Sequence, residues 1–498
     1  MTSPQTAPAP AGSAPAGSAP AGSAPAGAAS SGTTSGPAST GAAPYRPARQ
    51  LPPSGTPYAT SPELGAVLAR HPALGDFACR VTDFLDLHLP DPVTEEAARP
   101  PWLDLRSHAA RAGLTGFDVA GPPAAAGGGA DLAGGRAHAA GCGPAGAVPA
   151  GLERVAQGLA MFLAGRRDCD AREVFSSGHG AMALRYGAPA VARAVRDRVV
   201  GRGELAGVAS SEPHSGSDLR GLRTVAADHG DHLVLSGTKG LVSRVEEAVG
   251  FVVFCKVVAP EQAAALTAEG ADAAGDHAGL REVPLSALWL PMDAPGVRTQ
   301  TAAPLGLRGW SLGHLHFDGV RVERDRLLGA PGDGRRIFDA HFAGWRLMMA
   351  LVCLGAAGAA IDEATVRTRR RSVGRTSLAS IPSVASRLGT AAAEVQAATA
   401  WCFSLLESID RDADGVDEAA CSAAKALATD ASYRVVDLAL QLHGSDGYTC
   451  HTPMEKRLRD IRGLRIADGP NDVLYSVLAH SLLEGSRAGV RMVRQRRM

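Results

Sequence analysis

The apolar residues of this 498-residue chain change their spacing twice, and the order of those changes constrains the fold more than any other feature. Over Pro62 to Arg70, Gly75 to Leu89, Trp102 to Ala112, Leu152 to Gly165 and Pro189 to Val200 they recur at intervals of three and four, which predicts amphipathic helices. Leu205 to Ser210, His232 to Ser236, Gly250 to Val258, Ala287 to Leu290 and His314 to Val320 are instead short β-rich runs between Gly, Asp and Pro turns. Long Ala/Leu stretches then return at Ile337 to Arg371, Ile381 to Asp410 and Asp417 to Leu442, with a last helix from Asp472 to about Arg487. Helices segregated on either side of a β unit predict an α+β protein and disfavour a doubly wound dinucleotide fold. The expected plan is an N-terminal all-α domain (56–204), a middle antiparallel β-barrel-like domain (205–332) and a C-terminal four-helix bundle (333–498).

Ahead of these, residues 1–55 are mostly Ala, Pro, Gly, Ser and Thr, with Ala-Gly-Ser-Ala-Pro repeated from Ala11, Ala16 and Ala21 and no Leu, Ile, Val or Phe before Leu51. Too few large side chains are present to offset the entropy of ordering, so a disordered tail is expected. Pro122 to Gly151, with Gly127–Gly129 and Gly134–Gly135, reads as a flexible loop.

Charge and composition exclude several function classes. Fifty basic residues balance fifty acidic ones, and only 22 of 498 residues are aromatic, so neither a polyanion nor stacked bases would find a footing. The eight cysteines form no CxxC pair and no zinc-type spacing, which predicts no metal site and a reducing compartment. The apolar run Leu347 to Ile361 is bounded by Arg346 and Asp362 and is shorter than the roughly 18–20 residues of a membrane span. No basic, Leu-rich secretory signal opens the chain, so a cytoplasmic protein off the membrane is expected.

Four segments concentrate chemistry. Ser211-Glu-Pro-His-Ser-Gly-Ser-Asp218 follows a β run and clusters hydroxyls and backbone N–H groups that suit a phosphate or a heteroaromatic edge, or simply make a Ser-rich turn. Ser236-Gly-Thr-Lys-Gly-Leu-Val-Ser243 ends a hairpin on another hydroxyl. Leu305-Gly-Leu-Arg-Gly-Trp-Ser311 runs into Phe317-Asp-Gly-Val-Arg-Val322. Gln441-Leu-His-Gly-Ser-Asp-Gly-Tyr448 leads through Arg459-Asp460-Ile-Arg462 to Ala467-Asp-Gly-Pro470. By contrast, Gly178-His-Gly-Ala-Met-Ala183 mimics a phosphate-binding glycine turn but sits in no βαβ unit, and a plain turn explains it.

In this order, over residues 60–487, the four segments resemble those of the acyl-CoA dehydrogenase flavoproteins, a superfamily that also contains nitroalkane oxidases. The resemblance implies FAD as cofactor, held by Ser210, Ser211, Ser217, Val242, Ser243, Gln441, Gly444, Ser445, Pro470, Asp472 and an arginine that is Arg370 in one register and Arg371 in another. It places Ser243 at flavin N5, Ser217, Arg346 and Gly469 at the substrate, and a neighbouring subunit at the same FAD, hence a homodimer or homotetramer. Asp468 would be the base that removes the α-proton of an acyl thioester of coenzyme A or a carrier protein, with an electron-transferring flavoprotein as a further partner. The chain departs from the family in having Leu241 for an aromatic, Val373 for Phe, Ile381 for Gln, and Ala467-Asp468-Gly469-Pro470 where the family has Tyr-Glu-Gly-Thr. Nitroalkane oxidases use Asp at that position on another carbon acid, so an oxidase of that kind or a non-catalytic scaffold are the alternatives. Read without the resemblance, Asp468 to Asp472 is also a good turn and helix N-cap.

Overall fold

The computed structural model describes residues 62–94, 100–119, 148–267, 278–413 and 415–483. The expected tail, most of the Gly-rich loop and the end of the last helix near Arg487 lie outside them.

Among the described residues six α-helices precede the sheet: α1 (Pro62–Arg70), α2 (Gly75–His88), α3 (Trp102–Arg111), α4 (Glu153–Arg167), α5 (Gly180–Tyr186) and α6 (Pro189–Val195), the last running into a wider π-type turn at Arg196–Gly201. Five match the three-and-four spacing. The sixth, α5, begins within the glycine stretch 178–183, whose glycines hide a seven-residue helix from a propensity reading.

The strands are β1 (Leu205–Ala209), β2 (Val225–Asp228), β3 (His232–Ser243), β4 (Ala248–Val258), β5 (Leu285–Pro291), β6 (Val297–Ala302) and β7 (Leu312–Glu323), with α7 (Pro260–Thr267) and α8 (Ala278–Glu282) between β4 and β5. They form one sheet in the order β1-β4-β2-β3-β7-β6, with β5 on β4. The sheet is mixed where a wholly antiparallel one was expected: β1 and β2 both run parallel to β4, because longer excursions separate them from it. Strands β2 and β6 escape the sequence reading. The first is four residues long, and Val297-Arg-Thr-Gln-Thr-Ala302 is a polar, exposed edge with no apolar alternation.

The remaining helices are α9 (Gly334–Arg370), α10 (Pro382–Arg411), α11 (Glu418–His443), α12 (Met454–Leu464) and α13 (Asn471–Leu483), with a short hairpin, β8 (Ser372–Val373) and β9 (Thr376–Ser377), after α9. Among the described residues α9 alone is long and apolar enough to cross a membrane. Its residues 342–360 are all buried inside the protein instead. A principal partner is α4, buried continuously from Val155 to Gly165. The two helices meet backbone to backbone: a Cβ on Gly165 would stand 2.1 Å from Val352 O, and one on Gly355 would stand 2.1 Å from Phe162 O. Gly355→Ala should therefore lower stability by about 1–3 kcal/mol, measured as the shift in urea midpoint, despite alanine's better helix propensity. A raised midpoint would show that the crossing can relax.

Candidate active site

After β1 the chain turns on itself, with Glu212 N–H donating to Ser215 O (2.8 Å) and Ser215 N–H to Glu212 O (3.0 Å). The Glu212 carboxylate is buried and accepts from Arg223 N (2.7 Å), Thr224 N (2.9 Å), Thr224 Oγ1 (2.6 Å) and Lys239 Nζ (2.8 Å). Burial alone would push its pKa up, but the Lys239 ammonium and these donors hold it below the usual range. Lys239 also donates to Ser210 O (3.1 Å), and Gly240 N–H to Ser211 O (2.9 Å). Glu212 and Lys239, one from each of two sequence motifs, thus weld the Ser210–Ser211 loop onto the end of β3, where Val242 is buried and Ser243 half-buried. Sequence reasoning gave neither residue a role, although both stand inside the quoted motifs. Ser217 is exposed, beyond the turn in which Ser215 Oγ donates to Asp218 O (2.6 Å).

The Leu305–Ser311 segment is pinned from below. Asp170 accepts Gly309 N–H (2.9 Å) and, through its carbonyl, Trp310 Nε1–H (2.9 Å), while Asp460 Oδ1 accepts Leu307 N–H (2.6 Å). Among the described residues Asp168, Asp170 and Asp460 are the one group with metal-like convergence, and Lys456 Nζ sits among them at 2.8, 3.2 and 2.7 Å. The arrangement is an ion cluster built on an ammonium.

Asp468 lies between α12 and α13 with φ +57°, a left-handed conformation that Asp and Asn adopt more readily than most residues. Its neighbours fix the backbone. Arg346 Nε donates to Asp468 O (3.1 Å), and Lys425 Nζ donates to Gly469 O (2.8 Å) and Asn471 Oδ1 (3.1 Å). The Asp468 carboxyl carries no hydrogen bond among the described residues, so it caps no helix, and α13 begins at Asn471. The residue is half-buried, which partly strips water from its carboxyl group. That desolvation raises its pKa against the opposing pull of Lys425, Arg346, Arg244 and Arg172. The Lys425 ammonium is itself pushed down to about 8 by burial. Pro470 accepts Leu474 N–H (3.1 Å) as α13 starts, and Asp472 is exposed in its first turn.

At the far end of α9 a cavity of about 250 Å³ is lined by Arg367, Arg371, Val373, Leu378 and the segment from Gln441 to Asp446. Arg371, the residue after the helix, is among its walls and Arg370 is not. Arg367 Nε is buried there without a partner. An orphaned guanidinium N–H, a second arginine and the Gly444–Ser445 turn form a donor set for an anionic or sugar–purine group, and the cavity has room for one part of FAD.

Residues 207–320 match the family profile "Acyl-CoA dehydrogenase, middle domain", and residues 332–483 match "Acyl-CoA dehydrogenase, C-terminal domain". The chain belongs to the acyl-CoA dehydrogenase family. The mitochondrial short-chain specific acyl-CoA dehydrogenase of Bos taurus is 31% identical over 283 residues, covering 56% of this chain and 63% of that protein. A probable acyl-CoA dehydrogenase of Bacillus subtilis, YngJ, is 28% identical over 275 residues, covering 55% of this chain and 67% of that protein. The alignment thus spans less than two thirds of the bovine relative's length. Among solved structures, a glutaryl-coenzyme A dehydrogenase in complex with glutaryl-CoA superposes with TM-score 0.66 at 22% identity, over 82% of this chain and 95% of that one. Butyryl-CoA dehydrogenase from Megasphaera elsdenii gives TM-score 0.64 at 21% identity, over 82% and 97%. At those identities the acyl-CoA dehydrogenase fold is what is shared. Another neighbour, a Mycobacterium smegmatis glutaryl-CoA dehydrogenase with FADH2, has TM-score 0.65 at 18% identity, over 82% and 94%.

Proposed function

We propose that this protein is an FAD-dependent oxidoreductase that dehydrogenates an acyl thioester between Cα and Cβ, with Asp468 as the base. The observation that carries the reading is Asp468 itself, a half-buried carboxyl group with no hydrogen-bond partner among the described residues, raised pKa and a backbone fixed by Arg346 and Lys425. A carboxyl group serving only the fold would be expected to hold a donor, as Glu212 does. FAD supplies the hydride acceptor when bound.

The chain's own groups divide the remaining work. Asp468 takes the α-proton, and its pKa above the usual carboxylate range brings it closer to the weakly acidic carbon it must deprotonate. The Asp468 backbone N–H, with no partner among the described residues, is free to donate to the thioester oxygen as charge develops there. Arg346 and Lys425 hold the loop in register by gripping the carbonyls of residues 468 and 469. The Ser210–Ser211 loop and Ser243 supply donors for the flavin ring, and Arg367, Arg371 and Gln441–Ser445 hold another part of the cofactor, shared with a second subunit of a homodimer or homotetramer. A coenzyme A thioester, or one on a carrier protein, is the proposed substrate, and an electron-transferring flavoprotein the proposed acceptor.

Purified protein should be yellow, with about one flavin per chain, and Arg371→Ala should lose much of it while keeping its helical content. Anaerobic mixing with acyl-CoA, acyl-carrier and nitroalkane candidates should bleach the flavin with a thioester. Bleaching by nitroalkanes alone would favour the oxidase, and a colourless protein that takes up no FAD would favour a scaffold.

A further inference from the structure

Lys425 is a cation of this site whose charge no carboxylate answers directly. It is fully buried, on the side of α11 that meets the loop between α12 and α13. Nζ donates to Gly469 O (2.8 Å) and Asn471 Oδ1 (3.1 Å), both neutral oxygens, which occupies two of its three N–H groups. Asn471 is pinned to the same helix, its Nδ2 donating to Ala426 O (3.2 Å), Thr429 Oγ1 (2.9 Å) and Asp430 Oδ1 (2.9 Å). The loop is thus fixed to α11 one residue away from the carboxyl group proposed as the base.

Four cations oppose the effect of burial on that carboxyl group, and Lys425 exerts the largest pull of them. Arg346 shares its charge with Glu418 (3.2 Å), Arg244 with Glu173, and Arg172 with Asp170 and Glu173 (both 3.2 Å). Among the described residues Lys425 alone of the four forms no ion pair, its hydrogen bonds ending on neutral oxygens. Around it, Asp430 already receives Arg465 Nε (2.7 Å), Asn471 Nδ2 and Tyr475 OH (3.2 Å). The Cys353 thiol of α9 is pushed up to about 12 by burial and stays neutral. Asp468 is the anion left for Lys425. Burial brings the Lys425 ammonium down only to about 8, so it still carries its charge at neutral pH. A buried ammonium without a counter-ion is costly, and a fold that needed only a donor at Gly469 O could use a neutral one.

Resting on the dehydrogenase reading, we propose that Lys425 is the positioning residue of the base: it fixes the loop through Gly469 O and Asn471, and its charge keeps Asp468 ionised and able to take a proton at neutral pH. The two contributions separate by pH. Without a cation at 425 the Asp468 pKa rises further, so activity lost at pH 6.5 returns as the pH climbs and Asp468 ionises. Activity lost because the loop is misplaced does not return.

The test uses flavin-loaded Lys425→Gln, which keeps N–H donors without the charge, and Lys425→Met, which keeps neither. Two readouts are followed from pH 5.5 to 9: anaerobic flavin bleaching by butyryl-, octanoyl- and glutaryl-CoA, and the carbon-13 signal of the carboxyl group that Asp468→Asn removes. The Asp468 titration midpoint should rise by at least about one pH unit in both variants, and the acid limb of the rate profile should move with it. Lys425→Gln should be about tenfold slower than wild type at pH 6.5 and within about threefold of it at pH 9. Lys425→Met should stay about 10²-fold slower at both. Flavin content and melting temperature verify that each variant is folded. If the midpoint does not move in either variant while wild type is bleached, Lys425 serves the fold alone: the proposal is overturned and the dehydrogenase reading stands. If no thioester bleaches wild type, that reading falls and takes this proposal with it.

Discussion

Asp468→Asn is expected to give a folded, flavin-loaded protein whose anaerobic flavin reduction is slower by about 10²–10⁴, the usual worth of a positioned base. The substitution is unusually clean here. Asn tolerates the left-handed backbone at φ +57° as well as Asp does, and the side chain has no hydrogen bond to lose. Because burial raises the Asp468 pKa in the folded state, the folded protein binds more protons than the unfolded chain between the ordinary carboxylate pKa and the raised one. Stability from this group is therefore present at low pH and lost as pH rises through that window. Above it the ionised Asp468 is a net cost, so the Asn variant should melt slightly higher than wild type at pH 7.5 while losing activity. The same shift predicts that the acid limb of the wild-type rate profile lies above the usual Asp range. Asp468→Glu should also lose rate, since Glu is less at ease in this conformation and its extra methylene moves the carboxyl by about 1 Å, enough for roughly 10²-fold. Near-wild-type reduction by the Asn variant would remove Asp468 from the chemistry.

That conformation shows why part of the site was legible in sequence and part was not. Apolar spacing gives the helical, β and helical order because long buried helices such as α9 and α11 repeat their pattern over many turns. It misses β6 and α12 because one is a polar edge and the other is mostly charged, with Lys456, Arg457 and Asp460 buried only through their partners. Ser211, Ser243 and Asp468 stand out as motif members. The groups that arrange them do not: the Glu212–Lys239 weld joins residues 27 apart, and Lys456 reaches Asp168 across 288 residues. Pairings of that kind leave no local signal. Of Arg370 and Arg371 only the second lines the cavity at the end of α9, a placement that sequence spacing alone does not give.

Lys456→Met should cost about 3–5 kcal/mol of stability at pH 7.5, read as a fall in urea midpoint, because it removes the one ammonium from three buried carboxylates whose oxygens lie within 4.8 Å of one another. Burial already lifts Asp168 to about 7 and raises Asp460, with Lys456 the main force holding both down. Without it their folded-state values rise further above the unfolded ones, and the variant takes up protons on folding. Its deficit should therefore shrink as pH falls from 7.5 to 5.5, where protonated carboxyl groups can hydrogen-bond to one another. The damage should also reach the flavin. Asp170 and Asp460 hold Gly309 and Leu307, and the same segment's Ser311 carbonyl clamps Arg244 beside Ser243. Loosening the cluster should lower flavin content at pH 7.5 and partly restore it at pH 5.5. A midpoint within about 1 kcal/mol of wild type at both pH values would mean that the carboxylates find other donors and that Lys456 does not hold this layer together.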